Sequence, residues 1–315
     1  MAVALKGLTK YGDTSGTLYG YSVGGNQVIN GSFFDDLLYG DAHTLTQQAR
    51  GGNDIIYSGR GNDTVFGDAH YMSVWARGGD DYLDGGIGSD YVVGDAMYMS
   101  QGAVGGDDTV RGGAGDDYYL YGDAYSLIDN TRGGNDFISG DTGSETVVGD
   151  AWIMSGNAVG GNDSLEEIFG GDVGNEVMYG DAYSMTGATR GGHDTMLGGA
   201  GFDTMYGDAY TLANSAIGGH DFLMGGTDND TMFGDAYTLA DNAIGGNDTM
   251  YGGDGNDVVY GDAANISQGA HGGNDVVLGE AGNDTLFGDG NDAGGASGGN
   301  DTLDGGSGND VLYGD

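Results

Sequence analysis

The chain has no cysteine and no proline, and it sets only 8 lysines and arginines against 49 aspartates and glutamates. Without cysteine there is no disulfide framework, no thiol nucleophile and no Cys-based zinc or iron–sulfur site. Without proline or a three-residue glycine period, the 71 glycines in 315 residues do not describe collagen. No apolar run approaches the roughly 18 residues of a membrane span. The opening MAVALKGLTKYG lacks the sustained apolar stretch of a signal peptide. A formal net charge of −41 repels nucleic-acid phosphates and anionic lipid. It also opposes compaction unless cations sit among the carboxylates. Yet 38% of the residues are hydrophobic, too many for plain disorder. The composition therefore asks for a cation partner.

What the sequence does have is a period. Gly-Asp-Ala recurs at Gly40, Gly67, Gly94, Gly122, Gly149, Gly180, Gly207, Gly234 and Gly261, and Gly-Asp at Gly288 and Gly314, mostly 27 residues apart. Each unit also carries two further acidic turns, each followed by a short apolar step. Three apolar columns result. The first is Leu45, Met72, Met99, Leu127, Met154, Met185, Leu212, Leu239 and Ile266. The second runs from Ile56, Leu83 and Val110 to Val277 and Leu303, and the third from Val65, Val92, Tyr119 and Val147 to Leu286 and Leu312. One column per face suits an all-β parallel β-solenoid of about ten 27-residue coils, whose proline-free strands each donate to the next coil. Residues 1–30 fall outside the period and are expected to form an N-terminal cap or edge segment, with the solenoid over 31–315. Extra residues fall around Tyr118–Tyr121 and between Asp163 and Glu176, and Ala293 replaces Leu or Met in the last coil.

The segments GGDGNDVVY from Gly252, GGAGFDTMY from Gly198 and GGSGNDVLY from Gly305 fit the nonapeptide G-G-x-G-x-D-x-U-x, U being a large apolar residue. In this the chain resembles the repeats-in-toxin (RTX) family of calcium-binding β-rolls. It departs from the family in its 27-residue unit, since an ordinary coil is two nonapeptides. Either three nonapeptides make one and a half coils, or an 18-residue coil carries a 9-residue insertion opened within Gly-Asp-Ala…Gly-Asn-Asp. The distinct columns favour the second account.

The resemblance implies calcium ions between equivalent turns of adjacent coils, and carrying the family's aspartate across gives two rows. One is Asp63, Asp90, Asp117, Asp203, Asp230, Asp257, Asp284 and Asp310, with Glu145 and Glu176 replacing Asp. The other is Asp54, Asp81, Asp108, Asp136, Asp163, Asp194, Asp221, Asp248, Asp275 and Asp301. The Gly-Asp-Ala aspartates, Asp41, Asp68, Asp95, Asp123, Asp150, Asp181, Asp208, Asp235 and Asp262, have no family counterpart. They are either a third ligand set or caps of the inserted loop through Asx-turn hydrogen bonds. Columns of like charge about 5 Å apart would make metal binding a folding step.

No nucleotide loop, catalytic triad or isolated carboxylate pair stands out from the periodic background, so a non-enzymatic protein is expected. The Asn-Asp-Thr sequons follow from the turn pattern. Tyr71, Tyr98, Tyr125, Trp152, Tyr183, Tyr210 and Tyr237 form an aromatic ladder, read first as cover for one flank and second as a stacking surface. The leading functional reading is a secreted or cell-surface calcium-binding protein with a structural or adhesive role. It folds on calcium and self-assembles end to end into a homo-oligomer or fibre. The alternatives are a non-catalytic RTX module of a larger secreted enzyme or toxin and, behind it, an ice-binding solenoid.

Overall fold

The computed structural model describes residues 7–167, 174–267, 269–292 and 296–314. Among these the chain forms strands and turns but no helix. One repeat shows the plan. Ala236–Leu239, Thr249–Asp254 and Val258–Tyr260 are three short strands, separated by corners. Each pairs in parallel with the strand one repeat later: Ala236 lies opposite Ala263, Thr249 opposite Val276, and Val258 opposite Thr285. Repetition builds three parallel sheets of 12, 11 and 11 strands among the described residues, a β-solenoid of about eleven turns. Every partner is one whole repeat away, so one repeat is one coil and the one-and-a-half-coil account is excluded. The strands Thr9–Tyr11, Thr14–Tyr19 and Val28–Ser32 lay a rung on each sheet, paired to Leu37–Tyr39, Ala42–Thr46 and Ile55–Gly59.

The inserted stretch is not a loop. It supplies the second sheet, through strands such as Ala42–Thr46, Ala69–Met72 and Ala209–Ala213. These form because each carries an inward Leu or Met three residues after an inward Ala, and both are buried. The stretch then turns back to bury a further small residue, Ala49, Ala76, Ala103, Thr131, Ala158, Thr189, Ala216, Ala243 or Ala270.

The interior is split in two. The first apolar column packs with buried alanines behind the second sheet, and Leu18 joins it at its N-terminal end. The second and third columns, such as Ile56 with Val65 and Leu223 with Met232, form a separate core between the other two sheets. Each Leu or Met so buried contributes about 1.5–3 kcal/mol before entropy is charged against it. On one flank a third cluster stands in stacks: Tyr179, Tyr206, Phe233, Tyr260 and Phe287 follow one another at 4.4–5.1 Å between ring centres. Trp152, Tyr183, Tyr210 and Tyr237 form a parallel stack at 4.2–5.1 Å, meeting the first edge to face. Of the aromatic ladder, Tyr125, Trp152, Tyr183 and Tyr210 pack over this cluster, while Tyr71, Tyr98 and Tyr237 stand exposed.

Two irregularities are absorbed at corners. The extra residue near Asp117 is Tyr118, pushed out and 60% exposed, so that Tyr91 pairs with Tyr119 and Val92 with Leu120. The inward residue of this coil is therefore Leu120 and not Tyr119: one inserted residue in a two-residue period reverses which side chain faces in. The longer insertion leaves all three sheets in register, with Val147 opposite Met178, Met154 opposite Met185 and Leu165 opposite Met196. Glu166 ends the strand Ser164–Glu166, while 168–173 and Ala293 lie outside the described residues.

Candidate metal centres

Three columns of acids run along the solenoid. The aspartates that close the G-G-x-G-x-D turns, from Asp63 to Asp310, stand at the corner before the first sheet, and this is the outer row. In it backbone N–H groups donate to the carboxylate of the next coil: Asp63 to Asp90, Asp90 to Asp117, and then from Glu176 to Asp203 and on through Asp230, Asp257 and Asp284 to Asp310, at 2.7–3.1 Å. The row from Asp54 to Asp301 repeats the pattern at the corner before the third sheet. There Asp54 N–H donates to Asp81, Asp81 to Asp108, Asp194 to Asp221 and Asp275 to Asp301, at 2.7–3.0 Å. Each of these bonds uses Oδ1. The other oxygen, Oδ2, is buried without a hydrogen-bond partner in Asp63, Asp90, Asp117, Asp203, Asp230, Asp257 and Asp284, and in Asp54, Asp81, Asp108, Asp136, Asp163, Asp194, Asp221, Asp248 and Asp275.

The turn chemistry explains why these places demand glycine. In the outer row the carboxylate folds back over the first glycine of its own turn, as Asp257 does over Gly252. At the opened turn the two halves receive each other. The Gly of Gly-Asp-Ala lodges the Asn-Asp carboxylate, as Gly207 does Asp221, and a Cβ there would also collide with the carbonyl of Gly234. Asparagines beside the ligand rows make an outer ladder, Asn256 Nδ2 donating to Asn229 and Asn283 Nδ2 to Asn256, both at 2.9 Å. His193 and His220 take Asn places in a similar ladder, each accepting a backbone N–H at Nδ1.

The Gly-Asp-Ala aspartates were missed as interior residues. They are completely buried and line the boundary between the two apolar cores. Their contact is not an Asx turn. Each takes the N–H of the second glycine that ends the inserted stretch: Gly52 on Asp41, Gly106 on Asp95, Gly192 on Asp181 and Gly219 on Asp208, at 2.5–3.1 Å.

Burial without counter-charge raises these carboxyls. Desolvation, checked in part by the backbone N–H bond and reinforced by neighbouring acids, moves Asp90 and Asp230 up to about 8 and Asp54 up to about 7. Deeper in, Asp95, Asp208 and Asp235 are raised well above the carboxylate range, first by burial and then by the like charges around them. The ion pair in view among the described residues, Arg111 with Asp141 at 4.0 Å, lies near the surface and does nothing for these rows. A buried charge must be neutralised by a proton or a cation. Hard oxygens alone, orphaned and repeated coil by coil, fit calcium or a similar hard cation and offer nothing to a soft one.

Where the outer row carries Glu, the site changes. Glu145 and Glu176 converge with Glu167, with one carboxylate oxygen from each within 4.8 Å of the others. Glu167 follows Glu166, which lies opposite Leu197 of the next coil, and so stands at the place where that coil has the turn glycine Gly198. Among the described residues no helix is long and apolar enough to cross a membrane.

A family model described as the RTX calcium-binding nonapeptide repeat matches residues 21–44, 48–69, 73–96, 104–124, 130–151, 189–209, 216–236, 244–265, 270–293 and 295–315. No curated protein matches the chain.

Proposed function

We propose, on the premise that this chain belongs to the RTX calcium-binding repeat family, that it is a structural repeat protein folded and held by calcium. The ligands are the outer row Asp63, Asp90, Asp117, Glu145, Glu176, Asp203, Asp230, Asp257, Asp284 and Asp310, and the second row from Asp54 to Asp301. The observation that carries this reading is the division of labour within each aspartate. One oxygen is fixed by the neighbouring coil's N–H, as Asp257 Oδ1 is by Asp230, and the other is buried and unpaired. Calcium supplies the positive charge that the protein lacks there. Because each carboxylate is positioned by the adjoining coil, binding and stacking are one event.

The role fits an extracellular or cell-surface setting, where calcium is plentiful, and is structural or adhesive rather than catalytic. Each sheet repeats a single register from coil to coil, so a second copy can extend the ladders, and end-to-end assembly is the form we favour. Service as a non-catalytic module of a larger secreted enzyme or toxin is the second form. Circular dichroism and size-exclusion chromatography with light scattering, run in chelator and then in millimolar calcium, test the reading. We expect an expanded, strand-poor chain in chelator and a compact, strand-rich one in calcium. Equal strand content in both would overturn calcium folding. Large, chelator-reversible assemblies would favour the assembling form, and a compact monomer the module.

A further inference from the structure

We propose that the Gly-Asp-Ala aspartates are calcium ligands, and that with the Asn-Asp row they enclose a column of ions inside the solenoid, between its two apolar cores. This rests on the calcium reading above but adds a row of ligands to it. Four observations lead to it. Asp181, Asp208 and Asp235 are fully buried, and Asp194, Asp221 and Asp248 no more than 3% exposed. In all six, Oδ2 has no hydrogen-bond partner. The two rows face one another: the charges that act on Asp208 are those of Asp221, Asp181, Asp235 and Asp248. Lastly, the two halves of the opened turn are mutually fitted, Gly207 to Asp221 and Gly218 to Asp208.

The charges balance. Each regular coil sends one carboxylate from each row into this boundary, two negative charges that one divalent cation neutralises. A solvated acidic face would need no such match, but these groups are buried, and among the described residues no lysine or arginine pairs with them, His193 beside Asp181 being the one basic group that acts on them. The nearby backbone N–H of Gly219 holds Asp208 through Oδ1 at 2.5 Å and leaves Oδ2 buried and unpaired. The inserted stretch thereby gains a purpose. It opens the turn so that an acid from each half reaches one enclosed place, and it walls that place off with the first apolar column.

The test compares the wild-type chain with Asp208→Asn and Asp230→Asn. Asparagine keeps an oxygen to accept the Gly219 N–H at Asp208, so the change removes charge and one ligand oxygen while sparing the hydrogen bond. Bound calcium is counted by equilibrium dialysis and atomic emission, at millimolar calcium. We expect Asp208→Asn to hold at least one ion fewer than wild type. Loss of an ion in Asp230→Asn with a full count in Asp208→Asn overturns the inference and leaves the calcium reading standing. Binding of no calcium by wild type overturns both. Should Asp208→Asn elute as an unfolded chain, anomalous scattering from calcium-grown crystals of the wild type decides. Peaks between Asp208 and Asp221 support the inner column, and peaks confined to the outer row remove it.

Discussion

The outer row and the Asn-Asp row share one kind of hydrogen bond, from the N–H of one coil to the Oδ1 of the next, yet their electrostatics differ. Asp230 is surrounded mainly by members of its own row, and its carboxyl rises to about 8. Asp221 makes the same Oδ1 contact to a backbone N–H but also faces Asp181 and Asp235, and burial, then these charges, raise it well above the carboxylate range. A column of acids can share cations along one line, whereas two facing columns must share them across a gap as well. Both side chains are closed to solvent, but Asp221 lies deeper, and burial leads the causes of its shift, with the facing row after it.

This difference can be pressed hardest by taking the metal away and changing pH. In the metal-free chain the acids have folded-state values above their ordinary one, so protonation favours the folded form. That contribution is complete below about pH 4, the unfolded value, and is lost as pH rises through the values near 7 for Asp54 and 8 for Asp90 and Asp230. In chelator, strand signal should therefore return on acidification from pH 8.5 to pH 5. A flat signal across that range, with the chain unfolded throughout, would break the electrostatic account of both regions.

A smaller effect separates the rows. Asp221→Ala should raise the calcium midpoint for folding more than Asp230→Ala, by on the order of tenfold, or about 1.4 kcal/mol, because the inner site loses a ligand facing a second row. Calcium titrations followed by circular dichroism check this, and equal midpoints would erase the comparison. Comparable in size is Gly207→Ala, whose added methyl meets both the Asp221 carboxylate and the Gly234 carbonyl. We expect a loss of about 1–3 kcal/mol or more, read as a lower melting temperature in calcium. Least of all, Tyr237→Ala, on the half-exposed end of the second aromatic stack, should cost about 0.5–1.5 kcal/mol for its stacking contact and leave the calcium midpoint where it was. A shift of that midpoint would tie the flank to the acid rows.

The solenoid was legible because its period is long, strict and carried by several residue types at once. The inward positions of Leu212, Leu223 and Met205 could be read from spacing alone, and so could the stacking of whole coils. What could not be read was how those columns divide among cores. Whether Leu212 meets Leu223 or is held apart from it depends on where the Asp208 carboxylate points, and spacing does not state direction. The small residues from Ala49 to Ala270 carried a usable signal, an Ala or Thr two places before each glycine pair, but small residues look unremarkable beside Leu and Met. Tyr119 was misplaced because an exposed insertion at Tyr118 leaves the sequence pattern locally ambiguous between two adjacent residues. Glu167 was hidden because the extra residues after Asp163 blur the alignment there, and only the register shows that it stands where other coils have a turn glycine such as Gly198.

The direction of the aspartate bonds makes the rod a polar object, in the sense in which an arrow is. In both Oδ1 ladders the amide belongs to the earlier coil and the carboxylate to the later one, as from Asp194 to Asp221 and from Asp203 to Asp230. Cut between any two such coils, the molecule exposes unlike faces: amide donors on one side, bare carboxylates on the other. Growth by adding coils is therefore not equivalent at the two faces, and copies that join through these ladders must do so head to tail, an open-ended association that no twofold axis can close.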